Sequence, residues 1–98
     1  MSDYNISEIK NIVSPIAEKH GVKRISLFGS RARGDNTPDS DYDFQITEGK
    51  LRSLWLYMSF VDDLEDAFHS HVDVVYDTSP DEELVSEAKE DGILLYEA

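Results

Sequence analysis

Residues 23–47 read KRISLFGSRARGDNTPDSDYDFQIT, and this stretch decides the fold. Its two ends have strand character and its middle does not. In residues 42–47, Tyr42, Phe44 and Ile46 fall on one face, with Asp43 and Gln45 on the other. That period of two predicts a strand with one buried face, and residues 23–28 read as a partner strand. Residues 29–40 between them carry two glycines, a proline and several turn formers, which predicts mostly loop.

Outward from this unit the pattern changes to helical spacing. In residues 5–20, Ile6, Ile9, Val13, Ile16 and Ala17 recur at helical intervals. Asn5 is placed to cap that helix with Glu8 as its box partner, and Gly21 is placed to end it. Pro15 inside it predicts a kink. Residues 50–68 predict a second helix, with Leu51, Leu54, Met58, Val61, Leu64 and Phe68 as its core stripe. Trp55 and Leu56 fall off that stripe and read either as partner contacts or as residues covered by a neighbouring loop. Residues 71–76 predict a strand with Val72, Val74 and Tyr76 opposed to His71, Asp73 and Val75. Ser79, Pro80 and Glu82 predict the start of a helix running to about Asp91. Gly92 would stop it, and residues 93–96 form a short last strand.

The expected order is therefore α-β-loop-β-α-β-α-β. Interleaved helices and strands predict an α/β (α+β) sandwich, with one layer of helices on one face of a small sheet. The polar alternates would then share the other face, where chemistry can sit. The 98 residues predict a single domain, 1–98, with no room for a separate substrate domain.

Composition narrows the functional classes. There is no cysteine, which excludes a disulfide scaffold, a thiolate zinc site and a cysteine nucleophile. A net charge of −12 opposes phosphate backbones, so no direct nucleic-acid binding is expected. Any phosphate must be handled locally, through a metal ion or a small basic pocket. No apolar run reaches the length of a membrane span, and the N-terminus lacks the pattern of a signal peptide. The cytoplasm is the expected compartment.

The chemistry concentrates in Phe28-Gly29-Ser30-Arg31-Ala32-Arg33-Gly34 and Asp39-Ser40-Asp41-Tyr42-Asp43. Gly29 and Gly34 have P-loop spacing, but Asp35 stands where the phosphate-binding lysine belongs. Asp39, Asp41 and Asp43 begin a calcium-loop pattern that Phe44 and Lys50 break. A dinucleotide fingerprint lacks its third glycine. What remains is a strand ending in a sharp Gly29-Ser30 turn, whose amides and hydroxyl can face phosphate oxygens. Arg31 and Arg33 add positive charge beside it. Asp41 and Asp43 project from the same strand face, and two adjacent carboxylates call for a cation between them. Asp73 lies on another alternating strand, again opposite the apolar face. With 12 aspartates in the chain, about one Asp-x-Asp arises by chance, so the argument rests on the combination. Three carboxylates, phosphate-facing amides and two arginines suit metal-assisted phosphoryl or nucleotidyl transfer.

Other charged residues read more plainly. His69 and His71 have the spacing of one strand face, but lack a third metal ligand and read as solvent or core histidines. Asp62, Asp63, Glu65 and Asp66 read as a solvated helix face, as do Glu82, Glu83, Glu87 and Glu90. Tyr42, Phe44 and Tyr76 read as core.

Gly29-Ser30, ten residues, then Asp41-x-Asp43 resembles the signature of the DNA polymerase β-type nucleotidyltransferase superfamily. LFGSRARGDNTPDSDYDF resembles, more narrowly, the minimal nucleotidyltransferase (MNT) family, and the likeness runs through HVDVVY to LLYE. The resemblance implies a mixed sheet with helices packed on it and a magnesium-dependent nucleotidyltransferase. It implies that Asp41, Asp43 and Asp73 hold two magnesium ions and serve catalysis, with Asp73 taking the proton of the attacking hydroxyl. Gly29 and Ser30 would hold the tail of a nucleoside triphosphate, and Arg33 and Arg31 would neutralise pyrophosphate. ATP as the nucleotide comes from the resemblance alone.

Many MNT proteins are antitoxins paired with a HEPN-domain ribonuclease toxin. The resemblance thus implies a protein adenylyltransferase antitoxin that modifies a toxin tyrosine, in a hetero-oligomer with it. Two alternatives stay open: a non-catalytic antitoxin that masks its toxin sterically, and a nucleotidyltransferase subunit acting on a small-molecule hydroxyl.

Overall fold

A computed structural model of the chain describes residues 4–47, 49–51, 53–78 and 92–98. The first helix, α1, spans Ile6–His20. The Asn5 side chain accepts from the Glu8 amide at 2.8 Å, and Glu8 Oε1 accepts from the Asn5 amide at 2.9 Å. This reciprocal box satisfies donors that a helix start otherwise leaves to water. Gly21 ends the helix in the left-handed region, at φ 70°. Pro15, expected to kink the helix, lies inside it, and the element is continuous through that position. Pro15 lies on the exposed side, where water can satisfy the carbonyl that loses its amide partner.

Strand β1 spans Arg24–Phe28 and β2 spans Tyr42–Thr47, paired antiparallel with Phe28 opposite Asp43. Between them the expected loop contains a short helical turn, α2, at Ser30–Arg33. Its four residues are too few for helical periodicity to register in the sequence. Helix α3 spans Leu54–Phe68 and is capped by Ser53, which accepts from the Leu56 amide at 3.2 Å. Strand β3 spans Val72–Tyr76 and pairs parallel with β2; strand β4 spans Ile93–Glu97 and pairs antiparallel with β1. The mixed sheet has the order β3-β2-β1-β4. The helix expected over 79–91, with Glu82, Glu83, Glu87 and Glu90, lies outside the described residues.

α1 and α3 pack against each other and against the sheet, α1 along β4 and α3 along β3. Ile9, Val13 and Ala17 of α1 meet Ile25, Leu27, Phe44, Ile46 and Leu95 of the sheet, together with Phe60, Leu64 and Phe68 of α3. Burial of such side chains, roughly 1.5–3 kcal/mol each, is the main term holding the layers together. Tyr42 and Phe44 join this core and Tyr76 packs at its margin, as their alternation predicts. The edge strand β3 is tied to α3 by the Tyr57 hydroxyl, which donates to Val74 O at 3.0 Å.

The core stripe of α3 differs from the expected one. Leu54 is 71% exposed and Met58 48%, whereas Phe60 is fully buried. At about 100° per residue, Met58 lies about 120° from Leu64 around the helix, and Leu54 about 80°. Leu51 is buried but precedes the helix. The stripe therefore centres on Phe60, Leu64 and Phe68. Trp55, off the stripe in either reading, is 82% exposed and is not covered by a described loop. Among the described residues no helix is long and apolar enough to cross a membrane.

Candidate active site

The polar alternates share the sheet face opposite the helices. Asp43 and Asp73 are register partners across the parallel β2–β3 ladder, so their side chains leave the same face. Phe28, register partner of Asp43 on β1 and only 3% exposed, forms an apolar flank beside them. Gly29 follows at φ 78°, a conformation that L side chains rarely adopt. A Cβ at this position would also collide with the Asp43 carboxylate. Glycine is thus required twice, by the backbone angle and by the approach of the acid.

Ser30 opens α2 immediately after this turn. Gly29 O accepts from the Ala32 and Arg33 amides at 3.1 and 3.0 Å, and Ser30 O from the Gly34 and Asp35 amides at 2.9 and 3.1 Å. The Ser30 amide, first in the turn, has no intrahelical acceptor by its position. Arg33 extends outward, with Nε 3.2 Å from Asp35 Oδ2.

Arg31, expected beside the pyrophosphate, packs against the loop that leads to Asp41. It is only 7% exposed. Its Nε and Nη2 donate to Ser40 O at 3.1 and 2.8 Å, and Nη2 lies 3.5 Å from Pro38 O. The guanidinium carbon sits 4.0 Å from the centre of the Tyr42 ring. These contacts spend its fork on the backbone on one side of Asp41 and its face on the side chain on the other. The arginine beside the turn with more solvent exposure is Arg33.

Asp41, His71 and Asp73 each present a ligand atom within 4.8 Å of the others. The Tyr42 amide donates to His71 O at 3.2 Å and so draws the start of β2 alongside the residue before β3. His71 Nε2 is 2.9 Å from Asp73 Oδ1, and Nδ1 is 3.3 Å from Glu65 Oε2. Glu65 Oε2 also accepts from the Val72 amide at 3.2 Å. The Asp73 carboxylate beside it, through its hydrogen bond and then its charge, raises the His71 imidazole above its ordinary value of 6.5. Burial, and secondarily Asp73, raises the Tyr57 hydroxyl above 10.0. A carboxylate pair with an imidazole is a chemically suitable donor set for a divalent cation.

The structure thus brings Asp41 and Asp73 together and places Asp43 beside Asp73 in register, with its carboxylate against Gly29. His71 and Glu65 belong to this cluster and were not expected there. His69, whose spacing from His71 is that of one strand face, instead caps α3 in the left-handed region at φ 52°. The better signal was the His71-x-Asp73 spacing, which puts both on one face. Of the acidic face expected on α3, Asp63 is also engaged: its Oδ2 lies 2.7 Å from His20 Nε2 and 3.1 Å from Lys19 Nζ.

A family model described as polymerase beta, nucleotidyltransferase matches residues 10–98. A protein of Methanocaldococcus jannaschii that carries the name of a protein adenylyltransferase is 42% identical over 71 residues, covering 72% of this chain and 76% of its own. The protein adenylyltransferase MntA of Thermococcus cleftensis is 30% identical over 83 residues, covering 81% and 84%. Among solved structures, that of a tri-AMPylated Shewanella oneidensis HEPN toxin in complex with MNT antitoxin matches with a TM-score of 0.72 at 19% identity, over 95% of this chain and 73% of that one. At that identity the likeness is one of fold.

Proposed function

Because the chain belongs to the polymerase beta nucleotidyltransferase family, we propose that it is a protein adenylyltransferase antitoxin, which transfers AMP from ATP to a tyrosine of a partner HEPN ribonuclease toxin and so neutralises it. The observation that carries this reading is the convergence of Asp41 and Asp73 on the sheet face opposite α1 and α3, beside Asp43 and the Gly29-Ser30 turn. The names of the two adenylyltransferase relatives and the AMPylated state of the Shewanella toxin support the choice of acceptor.

In this reading the tyrosine oxygen attacks the α-phosphorus of ATP. A new oxygen–phosphorus bond forms, the bond to the bridging oxygen breaks, and pyrophosphate leaves. Asp73, whose Oδ1 lies 2.9 Å from His71 Nε2, presents its other oxygen to take the proton of the attacking hydroxyl. The Gly29 and Ser30 amides and the Ser30 hydroxyl hold the triphosphate tail, and Arg33 offsets charge on the departing pyrophosphate. Arg31 works at one remove, by holding the backbone that carries Asp41. Asp41, Asp43 and Asp73 would hold the divalent cations, two magnesium ions in this proposal, which when bound neutralise phosphate charge and favour ionisation of the attacking hydroxyl. The single domain supplies these groups, and the reaction belongs in the cytoplasm, where ATP and a ribonuclease target meet.

The acceptor protein needs a surface of its own. Leu54, Trp55, Leu56 and Met58 are exposed together along the first turns of α3, and this apolar group suits a protein partner.

Co-expression with the genomic neighbour, purification and intact-mass measurement test the proposal. The neighbour is expected to be heavier by one or more adenylyl groups with the wild-type chain and unmodified with Asp41→Asn/Asp43→Asn. An unmodified neighbour that co-purifies and is silenced by both chains overturns catalysis in favour of steric masking.

A further inference from the structure

His71 is the group in the site that a carboxylate-only cation site leaves unexplained. Its ring is held from both sides. Glu65 Oε2 faces Nδ1 at 3.3 Å and is itself fixed by the Val72 amide at 3.2 Å. Nδ1 is thus the nitrogen that faces Glu65, and Nε2 the one that faces Asp73. Nε2 lies 2.9 Å from Asp73 Oδ1, with a ligand atom of Asp41 within 4.8 Å. Two ligand atoms about 2.1 Å from one cation and roughly at right angles are about 3 Å apart, so the Nε2–Oδ1 separation matches an edge of a coordination shell. A histidine that gives one nitrogen to a metal and the other N–H to a carboxylate is the common way proteins orient such a ligand.

We propose that His71 Nε2 is a metal ligand alongside Asp41 and Asp73, with Glu65 as its outer carboxylate, and that this site, which magnesium can still occupy, binds first-row transition cations such as manganese, cobalt or zinc more tightly than the carboxylates alone would. Magnesium is a hard cation that favours oxygen donors and keeps its waters. An imidazole nitrogen adds affinity for the transition ions and little for magnesium. The proposal deepens the nucleotidyl-transfer reading and rests on it for the carboxylate pocket.

The test is calorimetric titration of the full chain with Mn2+, Zn2+ and Mg2+ separately, repeated with His71→Ala, His71→Gln and Glu65→Gln. Circular dichroism of each variant confirms folding, and His71 is exposed enough for both replacements to be accommodated. Wild type is expected to bind Zn2+ and Mn2+ at least about tenfold more tightly than Mg2+. Both His71 variants should lose about tenfold or more for Zn2+, and Glu65→Gln a similar factor, while Mg2+ affinity changes less than about threefold. The Co2+ complex gives a second readout, a visible absorption band that shifts when His71 is replaced. Equal losses for Zn2+ and Mg2+, or no loss for Zn2+ and an unchanged Co2+ spectrum, overturn the histidine ligand. Those results leave the transfer reading standing, since its cation sites need only the carboxylates. Adenylylation of the partner, measured separately with Mg2+ present, decides that reading on its own.

Discussion

The Arg31 guanidinium lies over the Tyr42 ring, its central carbon 4.0 Å from the ring centre, while its nitrogens bond the carbonyl of Ser40. Asp41 stands between those two anchored neighbours. A basic residue next to the Gly29-Ser30 turn is thereby used to hold the backbone on either side of an acid.

Arg31→Ala is expected to lower stability by about 1–3 kcal/mol, through loss of the charged hydrogen bonds and the ring contact. Metal affinity should fall with it, because Asp41 loses both guides. Arg31→Lys should not restore either property, since an ammonium lacks the planar fork and the stacking face. Chemical denaturation together with a metal titration checks both parts.

Gly29→Ala combines a left-handed backbone with a collision against the Asp43 carboxylate. The expected cost is about 1–3 kcal/mol, with Asp43 displaced from the turn. Transfer activity should fall more than partner binding does. Mass analysis of the partner alongside a pull-down separates the two effects.

Asp41→Asn and Asp73→Asn should each reduce adenylyl transfer by about 100-fold or more. Both residues are exposed, so the melting temperature should change little. A large loss of stability in either variant would argue for a structural role of that acid.

Asp63 links the two helices through His20 and Lys19, and those hydrogen bonds hold its carboxyl below the usual value of 3.8. A lowered folded-state pKa means that its contribution is present above the unfolded value and is lost as pH falls through the folded one. Asp63→Asn should therefore cost about 1 kcal/mol at neutral pH, a figure kept small by partial exposure. The difference from wild type should shrink as pH drops below about 4. Thermal melts of both proteins between pH 7 and pH 3 check the sign.

Trp55, 82% exposed, should tolerate replacement by alanine without loss of stability. If it anchors the partner, Trp55→Ala should weaken the complex by about 2 kcal/mol or more, roughly 30-fold in affinity. Cation binding should be unchanged. Surface-immobilised binding of the partner to both chains measures this directly.

Local periodicity made most of the architecture legible. Asn5 and Glu8, the alternation over Tyr42, Phe44 and Ile46, and that over Val72, Val74 and Tyr76 are contacts or patterns within a few residues. The phase of α3 was harder to read, because Leu54, Leu56, Met58, Phe60 and Val61 crowd its first two turns with apolar side chains on nearly every side. Only packing against the sheet selects Phe60 over Met58. The same holds for Arg31, whose burial against the loop and the Tyr42 ring no local pattern encodes.

The candidate acids Asp41, Asp43 and Asp73 could be chosen from the sequence because strand alternation determines which face a side chain leaves. The sequence by itself determined the strands, the first helix, the need for glycine in the turn and the acidic face. The tertiary structure alone decided that β3 pairs parallel to β2, which aligns Asp43 with Asp73 and draws Asp41 to His71, and His71 to Glu65. Register between distant strands and the rotation of a helix against a sheet are set by long-range packing, and no local pattern encodes them.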